Sequence, residues 1–253
     1  MRPLSRGRYD VCLAGSQTEV AQAQRLRHLA FWSVRGRARA DGSDADAFDA
    51  TARHVLVCDR GTGELVACYR VHVFDGTSLG LSYAAQFYDL SLMAHFPGKM
   101  LELGRFCLHP DHHDPDILRL AWAAMARMVD EAGVGLLFGC SSFAGADPVL
   151  HRQALGFLAS RIAPAAFRPL PRAPDRVPLV PAGQGTAGQP VAGKAALLPP
   201  LLRTYLSMGG WVSDHAVIDS DLDTLHVLTG VEVAAIPPMR ARALRMIAVD
   251  DLG

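Results

Sequence analysis

Apolar residues from Tyr9 to Ala14 form a run of strand length. Val20, Leu26, Leu29 and Ala30 then fall at helical spacing behind Ser16 and Thr18, either of which can cap a helix over Thr18 to Phe31. Ser33 to Asp49, rich in Arg, Asp, Gly and Ala, reads as a surface loop. His54 to Asp59 and Leu65 to Phe74 are β-branched and apolar on either side of Arg60-Gly61-Thr62-Gly63, which predicts a hairpin. Met100 to Leu108 is a further apolar strand, and after a turn Asp116 is placed to cap a long helix over Ile117 to Ala132 that Gly133 ends. Gly135 to Ser141 predicts another strand, and Asp147-Pro148 opens a helix that stops near Gly156-Phe157. Pro164 to Pro200 holds most of the prolines and shows no period, so it predicts a long excursion. A helix over Leu201 to Met208 and strands over Trp211 to Ile218 and Thr224 to Ile236 close the pattern, in which no repeat is visible.

This alternation predicts a mixed α/β fold, and 253 residues suit one main domain spanning 1–253 with an excursion at 164–200. Charge changes the picture only by what it excludes. The chain carries no net charge, so nothing in the balance points to nucleic acid as a partner. Nearly all of its cations are Arg, which suits bidentate pairing with carboxylates. Cys12, Cys58, Cys68, Cys107 and Cys140 are widely spaced, odd in number and without a CxxC pair, which predicts buried free thiols in a reducing compartment. The basic N-terminus is not followed by an apolar signal region, and no apolar run is long enough to span a bilayer, so the expected location is cytoplasmic.

Candidate chemistry concentrates in Leu101-Glu102-Leu103-Gly104-Arg105-Phe106-Cys107-Leu108. A carboxylate inside an apolar strand is expensive to desolvate, so Glu102 implies a cleft, a partner or both. The turn that follows, His109-Pro110-Asp111-His112-His113-Asp114-Pro115, has metal-ligand residue types, but neighbouring histidines on a turn rarely converge and no distant third ligand is evident. No metal is expected. Ser141-Ser142 lacks the flanking glycines of a nucleophile elbow, and Cys107 and Cys140 lie in strands that read as buried.

The element order, with a helix ending in Leu155-Gly156-Phe157, resembles the GCN5-related N-acetyltransferase (GNAT) fold, a mixed central sheet flanked by helices. Arg27 and Phe31, Asp46 and Asp49 around Phe48, Arg70, and Glu102, Arg105 and Phe106 are similar in spacing to motifs shared by acyl-homoserine-lactone synthases and ornithine lipid N-acyltransferases. Cys107-Leu108-His109-Pro110, Leu198-Pro199-Pro200 and Gly210-Trp211-Val212 look like the ornithine lipid branch. Gly36-Arg37 stands where a lactone synthase carries a Trp, which puts that alternative, with S-adenosylmethionine as substrate, in second place.

The resemblance implies transfer of a 3-hydroxy fatty acyl chain from acyl carrier protein to the α-amine of L-ornithine. Coenzyme A is a poor candidate for the donor. The turn before the long helix has no glycine, two prolines that cannot donate and aspartates where a pyrophosphate would sit. No cofactor is expected, and an Arg-bearing face drawn from Arg119, Arg127, Arg152, Arg161 and Arg168 could receive an acidic carrier. Glu102 is the candidate base, directly or through water, or else a structural partner of Arg105 or Arg70. Backbone N–H groups around Phe106 to Leu108 are the candidate oxyanion site. Asp46, Asp49, Arg70 and Arg105 offer the charges an amino acid needs; the alternative for Asp46 and Asp49 is to cap a loop or helix start. Arg27 is expected to orient Asp49 or Glu102. A lipid product implies peripheral contact with the inner membrane through Arg2, Arg6 and Arg8, through Arg240, Arg242 and Arg245, or through Leu197 to Leu202. A non-catalytic carrier or lipid-binding module is the reading of a different class.

Overall fold

A computed structural model describes residues 3–181 and 197–249. In chain order the strands are β1 (Leu4–Arg6), β2 (Tyr9–Leu13), β3 (Arg53–Asp59), β4 (Leu65–Phe74), β5 (Tyr88–Asp89), β6 (Lys99–Leu108), β7 (Val134–Ala144), β8 (Leu170–Pro171), β9 (Arg176–Pro178), β10 (Trp211–Val212), β11 (His215–Asp219) and β12 (Thr224–Glu232). The α-helices are α1 (Gln17–Phe31), α2 (Pro115–Ala132), α3 (Arg152–Leu158), α4 (Pro200–Ser207) and α5 (Pro238–Val249). The backbone divides into two compact units, one of residues 1–73, 103–134 and 238–253, the other of 74–102 and 135–237.

In the first unit β1, β2, β3 and β4 pair antiparallel in sequence order, and β6 lies beside β4. Helix α1 starts where Ser16 accepts the Glu19 N–H at 3.2 Å and Glu19 reaches back to the Gly15 N–H at 2.7 Å. Its Ala23 and Leu26 pack on Leu56 and Cys68, which face each other across β3 and β4, and on Cys107. Two residues along that same face the paired positions are His54 and Arg70, so the surface beneath α1 passes from apolar to charged. Tyr69 points to the opposite face, where its hydroxyl donates to the Ala121 carbonyl of α2 at 3.0 Å.

The second unit is antiparallel in the order β7, β12, β11, β9, with β10 also on β12. Gly230 of β12 is required where it stands, because a Cβ there would lie 2.3 Å from the Trp211 ring. One apolar cluster gathers Tyr88, Met93, Met100, Phe138 and Leu228; another joins Leu155, Leu158 and Leu202 of α3 and α4 to Val212, Leu225 and Val227. Tyr88 is fully buried and donates its hydroxyl to the His226 carbonyl at 2.9 Å. Burial lowers the His226 pKa to about 4.

Several boundaries differ from the sequence pattern. Asp114 rather than Asp116 caps α2, accepting the Asp116 N–H at 2.9 Å, because Pro115 needs no N–H partner in the first turn. The helix expected from Asp147-Pro148 begins at Arg152 and runs to Leu158. The strand expected over Trp211 to Ile218 splits at Ser213-Asp214, where the Ser213 hydroxyl donates to the His215 carbonyl at 2.6 Å. Ser33 to Asp49 runs largely over the surface as expected, but its Asp44 and Asp49 are buried. Within 164–200 lie a short turn at Ala165–Phe167 and strands β8 and β9, while residues 182–196 fall outside the described part of the chain. Cys12, Cys58 and Cys140 are half-buried rather than buried, and none of the five cysteines forms a disulfide.

Candidate active site

In the first unit three guanidinium groups meet three carboxylates. Arg27, 1 % exposed on α1, grips Asp49 with both terminal nitrogens at 2.7 and 3.0 Å and donates from Nε to Asp44 at 2.8 Å. Arg70 on β4 donates to Asp49 at 2.7 Å and to both oxygens of Asp46, one of them at 2.8 Å. Arg105 on β6 pairs with Asp44 at 3.1 Å and Asp46 at 3.3 Å. The segment that supplies the acids is locally fixed. Asp46 and Asp49 form a capping box on the turn Ala47–Ala50, and Trp32 donates its indole N–H to Asp44 at 2.9 Å.

Burial works to raise the Asp49 carboxyl, but hydrogen bonds and charge from Arg27, with Arg70 and Gln24, outweigh it and hold the group well below the usual carboxylate range. Asp46 is also held low, burial opposing and Arg70 and then Arg105 prevailing. The members differ in reach. Arg27, Asp44, Asp49 and Arg70 are buried, whereas the Asp46 and Arg105 side chains are 22 % and 14 % exposed. Arg105 has a φ of 52°, in the left-handed region that a non-glycine residue enters at a cost of about 1–2 kcal/mol. Its neighbour Phe106 stacks on Tyr69 with ring centroids 5.3 Å apart.

Glu102 belongs to the second unit and is 3 % exposed. Its two oxygens accept the Tyr83 N–H at 3.0 Å and the Ala84 N–H at 2.8 Å, at the start of the turn Ala84–Gln86. These donors are neutral dipoles, so they stabilise the carboxylate without cancelling its charge. Tyr205, on α4, is buried, and burial with the Glu102 charge pushes its hydroxyl pKa up.

Three amides of the turn into α2 are already bonded. The His109 N–H donates to Val66 at 2.8 Å, the His112 N–H to His109 at 3.0 Å, and the Asp111 N–H points to His109 Nδ1 at 3.3 Å. Asp116 in the first turn is paired with Arg6 at 3.2 Å and Arg119 at 2.8 Å. Asp44 escaped the sequence reading, and its only signal was its place two residues before Asp46.

The region 26–123 matches the model of the acetyltransferase (GNAT) domain family. An N-acyl amino acid synthase from uncultured soil microbes shares the fold, with a TM-score of 0.51 over 98 % of both chains at 12 % identity. A GNAT fold with strand-borne carboxylate and Arg/Asp lattice is the class that these features define. The L-ornithine N(alpha)-acyltransferase of Rhodobacter capsulatus is 32 % identical over 92 % of both chains. That of Brucella abortus is 30 % identical over 87 % of this chain and 83 % of its own. The chain belongs to the L-ornithine N(alpha)-acyltransferase family and is an acyltransferase.

Proposed function

We propose that the protein moves a 3-hydroxy fatty acyl group from acyl carrier protein to the α-amine of L-ornithine, giving lyso-ornithine lipid. Identity across nine-tenths of the chain with an enzyme named for that acceptor is the observation that carries the reading. In the reaction the amine nitrogen attacks the thioester carbonyl, the C–S bond breaks, an amide forms and the carrier leaves as a thiol. Glu102 takes the proton that the attacking nitrogen loses, directly or through one water, a modest task because an α-amino group titrates near about 8. Asp46 and Arg105, the partly exposed members of the Arg/Asp lattice, meet the ammonium and carboxylate of the amino acid; Arg27, Arg70 and Asp49 hold them in place. Phe106 supports this surface through its stack on Tyr69.

The donor reading rests on the turn before α2, three of whose amides are already bonded and which carries Asp111 and Asp114 where a pyrophosphate would sit. A carrier protein delivers the same thioester without a nucleotide. Among the described residues no helix is long and apolar enough to cross a membrane. Peripheral contact is assigned to α5, where Met239, Arg240 and Arg242 are exposed. Arg6, Arg8 and Arg245 pair with Asp116, Asp59 and Asp130; Leu197 is exposed while Leu198 and Leu202 are buried, and Arg2 lies outside the described residues.

Mass spectrometry of the products from an amino-acid mixture and hydroxyacyl carrier protein tests the reading. N-acyl ornithine with one carrier thiol released per product is expected. Methylthioadenosine formed from S-adenosylmethionine would instead make the protein a lactone synthase.

A further inference from the structure

Outside the Arg/Asp lattice, one cluster in the first unit combines two imidazoles with a carboxylate. Glu64 leads into β4, and His109 and His112 stand in the turn that follows β6. One ligand-type atom from each lies within 4.8 Å of the other two. His112 Nε2 is 3.1 Å and His109 Nε2 3.7 Å from the Glu64 carboxylate, and the two rings meet edge to face at 5.3 Å. The carboxylate on the hairpin is the distant third partner that the spacing of the turn could not reveal.

We propose that Glu64, His109 and His112 bind a divalent transition cation of the zinc class. Two nitrogens and one oxygen suit a borderline ion, whereas calcium and magnesium favour oxygen throughout. Ligands at about 2.0–2.2 Å from a tetrahedral ion stand roughly 3.3 Å apart, so from the 4.8 Å bound a gap closes by at most about 1.5 Å, within reach of side chains that are partly exposed. The outer shell is also present. With the cation on Nε2, neutral His109 carries its proton on Nδ1, and the Asp111 carboxylate stands 3.9 Å from that nitrogen, ready to accept it in place of the weak bond from the Asp111 amide.

Three protein ligands leave a coordination position open, and Glu64 and His109 also line a cavity of about 350 Å³ with Gln22, Arg25, Leu26 and Cys58. Cys58 is not among the residues whose ligand atoms converge, so the set is nitrogen and oxygen. A bound cation would tie the β3–β4 hairpin to the turn that launches α2.

Titration of the chelator-stripped full chain with zinc chloride, followed by calorimetry and thermal unfolding, tests this. One cation per chain is expected, with Tm raised by about 5–10 °C at a hundredfold excess over Kd. Glu64→Gln and His112→Ala should each weaken binding at least tenfold, while Cys58→Ser and His113→Ala bind as the parent does. Cobalt, as a spectroscopic substitute, should show a nitrogen and oxygen environment in the parent and lose it in His112→Ala. No saturable binding at 100 µM zinc, binding unchanged in both ligand variants, or binding abolished by Cys58→Ser would overturn the proposal; the first outcome would leave only an ion pair between histidine and Glu64.

Discussion

The first unit neutralises its buried carboxylates with guanidinium groups, while the second holds Glu102 with backbone N–H groups. The two solutions leave different chemistry behind. Side-chain cations cancel charge, fix geometry and lower the carboxyl pKa, as at Asp46 and Asp49. Amide dipoles orient a carboxylate without adding a cation. In the proposed reading the lattice positions the amino acid and Glu102 is the base.

Glu102→Gln strikes the second unit at its proposed role and should lower the rate of acyl transfer at saturating substrate by roughly 10²–10⁴, with the fold intact by circular dichroism. An unchanged rate would end the comparison in its present form. Arg27→Met strikes the lattice and should cost about 3–5 kcal/mol in urea unfolding, because Asp44 and Asp49 would lose a buried counter-charge. Asp46→Asn, at the exposed edge, should instead raise KM for the amine roughly 10- to 100-fold with little change in kcat.

The depressed carboxyls give the lattice a pH signature. Stability from Asp46 and Asp49 is complete above their unfolded value, about 3.9, and is lost as pH falls through the lower folded values. Urea unfolding from pH 5 to pH 2 should therefore fall more steeply in the parent than in Asp49→Asn, which starts less stable. The smallest effect is expected at an ion pair that is not buried. Arg245→Gln, which breaks the half-exposed pair with Asp130, should cost under about 1 kcal/mol, and a larger loss would show that compensation matters more than burial.

The apolar runs of β3 and β4, the apolar stripe of α2 and the Gly133 stop were legible because residue type, periodicity, caps and left-handed glycine are local properties. Glu102 and Arg105 stood out as charges in an apolar run, and Arg27, Asp46, Asp49 and Arg70 only through their likeness to family motifs; the structure brings the last four together with Arg105. The turns of 75–98, which supply both amides to Glu102, carry no period for a sequence to display. Helix α5 also passed unremarked, its alternating arginines masking the pattern.

By itself the sequence determined the element order, the carboxylate in the strand and the family motifs, all of which depend on neighbours in the chain. Only the tertiary structure decided that Asp44 joins the lattice, that Asp46 and Arg105 stay partly exposed while Arg27 and Asp49 are buried, and that Glu64 meets His109 and His112. Those outcomes depend on which strands pair and in which register, and a register is fixed by long-range packing that no local spacing encodes.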